Sequence, residues 1–154
     1  MFAEDYRELK LPDAEKVAKR CSLFEDFIAQ LLQREPDALR FSHQRANVLI
    51  HAHCHAKSCA DVSYLPRLAA HVPGWNATLL DTGCCGMAGS FGMMATKQEL
   101  SLAVAAPLME KLSKPCVGKI IVASGTSCRH QIVHGGEKFP CHMAEALAEV
   151  LDVA

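Results

Sequence analysis

Two adjacent cysteines, Cys84 and Cys85, sit inside Leu80-Asp-Thr-Gly-Cys-Cys-Gly-Met-Ala-Gly-Ser-Phe91, where Gly83, Gly86 and Gly89 let the backbone take positive φ and come close to a bound group. Two more thiols stand in polar, histidine-rich or hydroxyl-rich company: Cys54 in His51-Ala-His-Cys-His-Ala-Lys57 and Cys128 at the end of Ser124-Gly-Thr-Ser-Cys128. Four convergent thiolates suit an iron-sulfur cluster or a tetrahedral zinc ion, and a thiol-disulfide couple is a third chemistry open to them. With 29 residues between Cys54 and Cys84 and 42 between Cys85 and Cys128, the spacing is unlike a Cys-x-x-Cys zinc ribbon or a ferredoxin run. Adjacent cysteines are awkward for one mononuclear metal because their side chains diverge, whereas a cluster spreads several irons over a few ångströms. That favours the cluster and leaves zinc and the redox pair open.

Other ionisable residues crowd the same sequence positions. Of His51, His53, His55, His130, His134 and His142, the three that flank cysteines at strand ends, His53, His55 and His142, rank first for contact with a cofactor or substrate. Arg129 and Lys57, beside the cysteines, are candidates to steady a negative cluster or meet a carboxylate. No catalytic residue is identified. Cys21 and Cys59 read as buried helix thiols and Cys116 as incidental. Cys141 is a reserve ligand, at a helix start that would lower its pKa.

The elements that must position these groups follow from periodicity. Short apolar runs predict strands at Ala46 to Ala52, Asn76 to Leu80 and Gly118 to Ala123, with a fourth, short one at Lys138 to Pro140. Asp13 is placed to cap a helix from Ala14 to Arg34 that buries Val17, Cys21, Phe24, Phe27, Ile28, Leu31 and Leu32. Further helices are expected over Ser58 to Ala70, with Pro66 as an interruption, over Met87 to Leu112, and over Met143 to Leu151, with a helical turn at Gln131 and Ile132. Alternating strands and helices predict an α/β fold, a parallel sheet of about four strands with helices on both faces. Cys54, the Cys84-Cys85 pair and Cys128 each follow a predicted strand. Three βα connections therefore bring the cysteines to the C-terminal edge of the sheet, where open α/β sheets bind ligands.

The whole chain sets bounds. It has 154 residues, 50% of them hydrophobic, and a net charge of −1, which excludes disorder and implies no basic face for nucleic acid. Met1 to Lys10 is polar, and no apolar run reaches the length of a membrane span. Eight cysteines without an export signal point to a reducing compartment, so a soluble cytoplasmic protein is expected.

Gly83-Cys-Cys-Gly-Met-Ala-Gly-Ser-Phe-Gly92, with the upstream His-Cys-His and the downstream Ser-Gly-Thr-Ser-Cys-Arg-His-Gln-Ile, resembles the cysteine-rich CCG domain. That domain occurs in the cysteine-rich part of heterodisulfide reductase, in the iron-sulfur subunits of glycolate oxidase and anaerobic glycerol-3-phosphate dehydrogenase, and at the C-terminus of FAD-linked D-2-hydroxyacid dehydrogenases. The wording is most similar to the last group. The resemblance implies a connector helix over residues 1–45 and a CCG domain over 46–154. It implies Cys54, Cys84, Cys85 and Cys128 as ligands of a cluster, and electron relay within an FAD-linked 2-hydroxyacid oxidoreductase of the lactate or glycolate type. The fuller family pattern ends in Cys-x-x-Cys, whereas position 125 here is glycine. A four-thiolate [4Fe-4S] cluster is therefore the simpler expectation than a five-cysteine one. The sequence contains one repeat and no Gly-x-Gly-x-x-Gly fingerprint, so the FAD is expected on a partner flavoprotein chain or on a domain outside this sequence. Membrane association would be peripheral, through partners. The alternatives are a zinc-binding structural or interaction domain, and a catalytic cluster of heterodisulfide reductase type with an open iron.

Overall fold

The structure, a computed structural model, describes residues 5–136 and 139–152. Three strands, β1 (Ala46–His51), β2 (Trp75–Leu79) and β3 (Lys119–Ala123), form a parallel sheet in the order β2-β1-β3. In register, Val48 lies between Ala77 and Ile120, and Ile50 between Leu79 and Val122. A parallel strand covered on both faces must be apolar on both, which is why these segments read as continuous Val, Ile and Leu runs.

Each face carries its own core. Val48, Ile50 and Val122 pack with Leu32, Leu68, Val72 and Met143. Leu49, Ile121 and Ala123 pack with Leu108, Leu112 and Ile132. Helices α3 (Phe24–Arg34), α5 (Tyr64–Ala69) and α8 (Met143–Ala148) supply the first core, and α6 (Gln98–Ser113) with α7 (Thr126–His134) the second. The short helices α1 (Asp5–Glu8) and α2 (Ala14–Ala18) precede α3, and α4 (Cys54–Cys59) follows β1. Among the described residues no helix is long and apolar enough to cross a membrane.

The sheet has three strands among the described residues, not about four. Lys138, where the fourth was expected to start, lies outside the described residues, and Phe139 and Pro140 are not in a strand. What is present is a single parallel bridge between Val122 and Cys141. Pro140 has no N–H to offer a ladder.

The helices depart from the expected bounds for local reasons. The segment from Ala14 to Arg34 is two helices: Asp13 sits at φ 62° without a side-chain cap bond, and the chain leaves helix after Ala18. Cys21 is exposed rather than buried, and Val17, Phe24 and Phe27 are 38, 42 and 51% exposed. The inward face of α3 carries Leu32 and, unexpectedly, Glu25. Pro66 does not interrupt a helix. It is the third residue of α5, where its missing N–H has no intrahelical partner to lose, and the interruption falls earlier, before Tyr64. The helix expected from Met87 begins only at Gln98, after a 3₁₀ turn at Phe91–Met93, because Gly86, Ala88 and Gly89 take φ of 85, 43 and 68°. A right-handed helix cannot run through such residues.

Candidate metal centre

In a sheet ordered β2-β1-β3 the chain leaves central β1 for one side and returns to the other, so a crevice opens beyond the C-terminal ends of β1 and β3. Cys54 is the first residue of α4, after β1, and is exposed. Cys128 lies in the first turn of α7, after β3, and is buried. The loop that follows β2 delivers a half-buried Cys84 and a buried Cys85.

All four thiols lie at this edge of the sheet, and two of them, Cys85 and Cys128, stand close together with His51. The sulfurs of Cys85 and Cys128 and a ring nitrogen of His51 all lie within 4.8 Å of one another. Cys54 and Cys85 both act on the Cys84 thiol, and Cys85, Cys54 and Cys84 all act on Cys128, each in the direction that disfavours a further charge. A hydrogen bond from Cys128 holds the Cys85 thiol far below the ordinary thiol range, with the neighbouring His51 acting in the same direction. The same bond, reinforced by burial, pushes Cys128 up. Burial raises the Cys84 thiol, against the Gly86 N–H that donates to its sulfur over 3.3 Å.

The Cys84-Cys85 loop is pinned from both sides. Ser101 Oγ, on α6, donates to the Gly86 carbonyl at 2.9 Å, and Gln131 Nε2, on α7, donates to Ser101 Oγ at 3.1 Å. Ser101 and Gln131 are both buried, so these bonds are sheltered from water. A Cβ on Gly86 would stand 2.1 Å from the Ser101 carbonyl oxygen, so only glycine allows this approach. Lys57 Nζ donates to the carbonyls of Thr82 and Gly83, and Lys111 Nζ to that of Asp81. Gly125 leaves room beside Cys128: a Cβ there would lie 3.0 Å from the Cys128 sulfur and 3.2 Å from His53 Cβ.

The other sequence candidates occupy the same edge in defined roles. His53 caps α4, its Nδ1 accepting from Ala56 N at 3.1 Å, and its ring stacks on that of His55 with centroids 6.2 Å apart. Burial lowers its pKa. His142 caps α8 in the same way, Nδ1 accepting from Ala144 N at 3.0 Å while Glu145 accepts from the His142 N–H. Arg129 turns back onto the end of β3 and donates to the carbonyls of Ala123 and Ser124, each at 2.9 Å. His130 and His134 are exposed on α7. Cys141 packs against the opposite core from Cys85 and Cys128, and its thiol is raised by burial, the reverse of the expected effect of a helix start. The side chain of Cys59 is not among those described.

Sequence reasoning ranked His51 too low. It ends β1 and, by the two-residue alternation of a strand, shares the face of Leu49, the face on which Cys85 and Cys128 are buried. That parity was a readable signal. Glu25 and Ser124 were missed altogether: Ser124 Oγ donates to Glu25 Oε1, and His142 Nε2 lies 3.7 Å from the same oxygen.

The donor set fits an iron-sulfur cluster or a soft metal ion: buried sulfurs from the connections after β2 and β3, and beside them a buried imidazole with an unpartnered nitrogen. Compared with curated proteins, the chain is 31% identical over 85 residues to one of the subunits of the anaerobic glycerol-3-phosphate dehydrogenase of Escherichia coli K12, and equally to its counterpart in Escherichia coli O157:H7. The match covers 55% of this chain and 21% of either relative, so the chain spans about a fifth of the length of the curated relatives it matches. No protein-family model matches the sequence. No solved structure matches it either.

Proposed function

We propose that this chain binds an iron-sulfur cluster through Cys54, Cys84, Cys85 and Cys128 and relays electrons for a flavin-linked dehydrogenase. The observation that carries this is the close group of Cys85, Cys128 and His51 at the crevice of a parallel sheet, with Cys84 next to Cys85 in the loop after β2 and Cys54 at the start of the helix that follows β1. The likeness to part of a multi-subunit dehydrogenase supports the redox role, and the cluster is assigned as [4Fe-4S] from the four thiolates. A bound cluster would supply a one-electron acceptor and donor close to the surface. The protein's own part is to hold the thiols at fixed positions, with Cys85 lowered by its neighbours and the Gly86 N–H directed at the Cys84 sulfur. The exposed position of Cys54 leaves one side of the site open to a redox partner.

The partner is assigned as a flavoprotein domain or chain carrying FAD, which oxidises a small anionic alcohol. A 2-hydroxyacid of the lactate or glycolate type follows from the motif, and glycerol 3-phosphate is the substrate named for the matched relatives. His53, His55, Arg129 and His142 surround the site, where they would tune or shield it.

Stepwise anaerobic reduction tests the proposal. Reconstituted protein should take up about one electron per chain with bleaching of its visible absorbance, and Cys128→Ser should lose more than half of that capacity. A colourless, zinc-loaded protein that accepts no electron would instead support a structural thiolate site.

A further inference from the structure

His51 is 1% exposed. Its Nδ1 lies 2.9 Å from Thr82 Oγ1, whereas its Nε2 is the one buried side-chain nitrogen or oxygen among the described residues without a hydrogen-bond partner. Buried polar atoms in native proteins are almost always satisfied, and an orphan is a mark of an ion or molecule that completes the site. The surroundings identify which. A ring nitrogen of His51 lies within 4.8 Å of the Cys85 and Cys128 sulfurs, and all three residues are buried. Imidazole nitrogen and thiolate sulfur together form a transition-metal donor set.

We propose that His51 Nε2 is itself a ligand, a fifth donor added at the iron held by Cys85 or Cys128, so that this one iron is five-coordinate with both imidazole and thiolate while the four cysteines keep their places. This inference rests on the cluster assignment made above. Thr82 is the positioning residue: its hydroxyl lies 2.9 Å from Nδ1 and would accept from Nδ1–H in the tautomer that ligation requires, with the lone pair on Nε2. The Thr82 carbonyl is held in turn by Lys57, so the orienting hydroxyl belongs to the same anchored loop as Cys84 and Cys85. A neutral imidazole brings less negative charge to that iron than a thiolate in the same place would, so exchanging it for cysteine should lower the reduction potential.

The test uses the full chain with histidine labelled by nitrogen-15, reconstituted without oxygen from ferrous iron and sulfide, then reduced and read by pulsed EPR. The expected result is a nitrogen coupling of the strength of an iron-bound imidazole in the wild type and its loss in His51→Ala, with His51→Cys shifting the potential downward. An assembled cluster with only weak nitrogen coupling, or a strong coupling that survives in His51→Ala, would overturn the assignment and leave the cluster intact. A wild-type chain that takes up no iron and sulfide would overturn the cluster assignment itself. Should His51→Ala not fold, the wild-type spectrum still decides.

Discussion

Cys85 and Cys128 are both buried, yet the fold moves their thiols in opposite directions, because each is the other's main partner. Two thiols in one buried site oppose each other's ionisation, and a bound metal would remove that opposition. The histidines beside them illustrate how the same residue type takes different work from its neighbours. His53 and His142 use Nδ1 on helix caps, while His51 Nε2 has no hydrogen-bond partner. On the far side of the sheet edge, Glu25 is 4% exposed and holds Ser124 and His142. Glu25→Ala should lower stability by about 1–3 kcal/mol, since it leaves buried polar groups unpartnered, and Glu25→Gln by less. Removing His142 in the Glu25→Ala background should then cost less than in the wild type. Urea midpoints of the four proteins in the cycle check this, and strict additivity would show that the two side chains do not interact.

At the scale of elements, the loop after β2 is the part that makes the site. Gly86 has φ 85° and no space for a Cβ against Ser101, whereas Gly89 has φ 68° and nothing within 4 Å. Gly86→Ala should cost about 2–4 kcal/mol through strain and overpacking and should spread the thiols, lowering bound iron. Gly89→Ala should cost only about 1 kcal/mol and leave iron binding unchanged. Thermal denaturation and iron content measured on both variants separate close approach from mere positive φ.

The strands around this loop were legible because a sheet covered on both faces forces uninterrupted apolar runs such as Val48-Leu-Ile50 and Ile120-Ile-Val122. The cysteines that follow them were legible for the same reason. Helix starts were not. Ala88 at φ 43° and Asp13 at φ 62° are non-glycine residues in a left-handed conformation, which composition does not announce. Glu25 was hidden because an apolar stripe gives no sign that a polar anchor at the sheet edge, Ser124, sets the inward face of α3.

At the scale of the molecule, the two cores leave the β1 and β3 C-termini as the place where both faces of the sheet end, and the redox groups gather there. The proposed ligands come from three connections, so a bound cluster would tie the loops after β1, β2 and β3 to one another and should stabilise the chain as a whole. The most direct test of the central claim is the iron and acid-labile sulfide content of the chain purified without oxygen, read together with its visible spectrum. The account predicts about four of each per chain and a brown colour that dithionite bleaches. Zinc bound without sulfide, in a colourless protein, would contradict it.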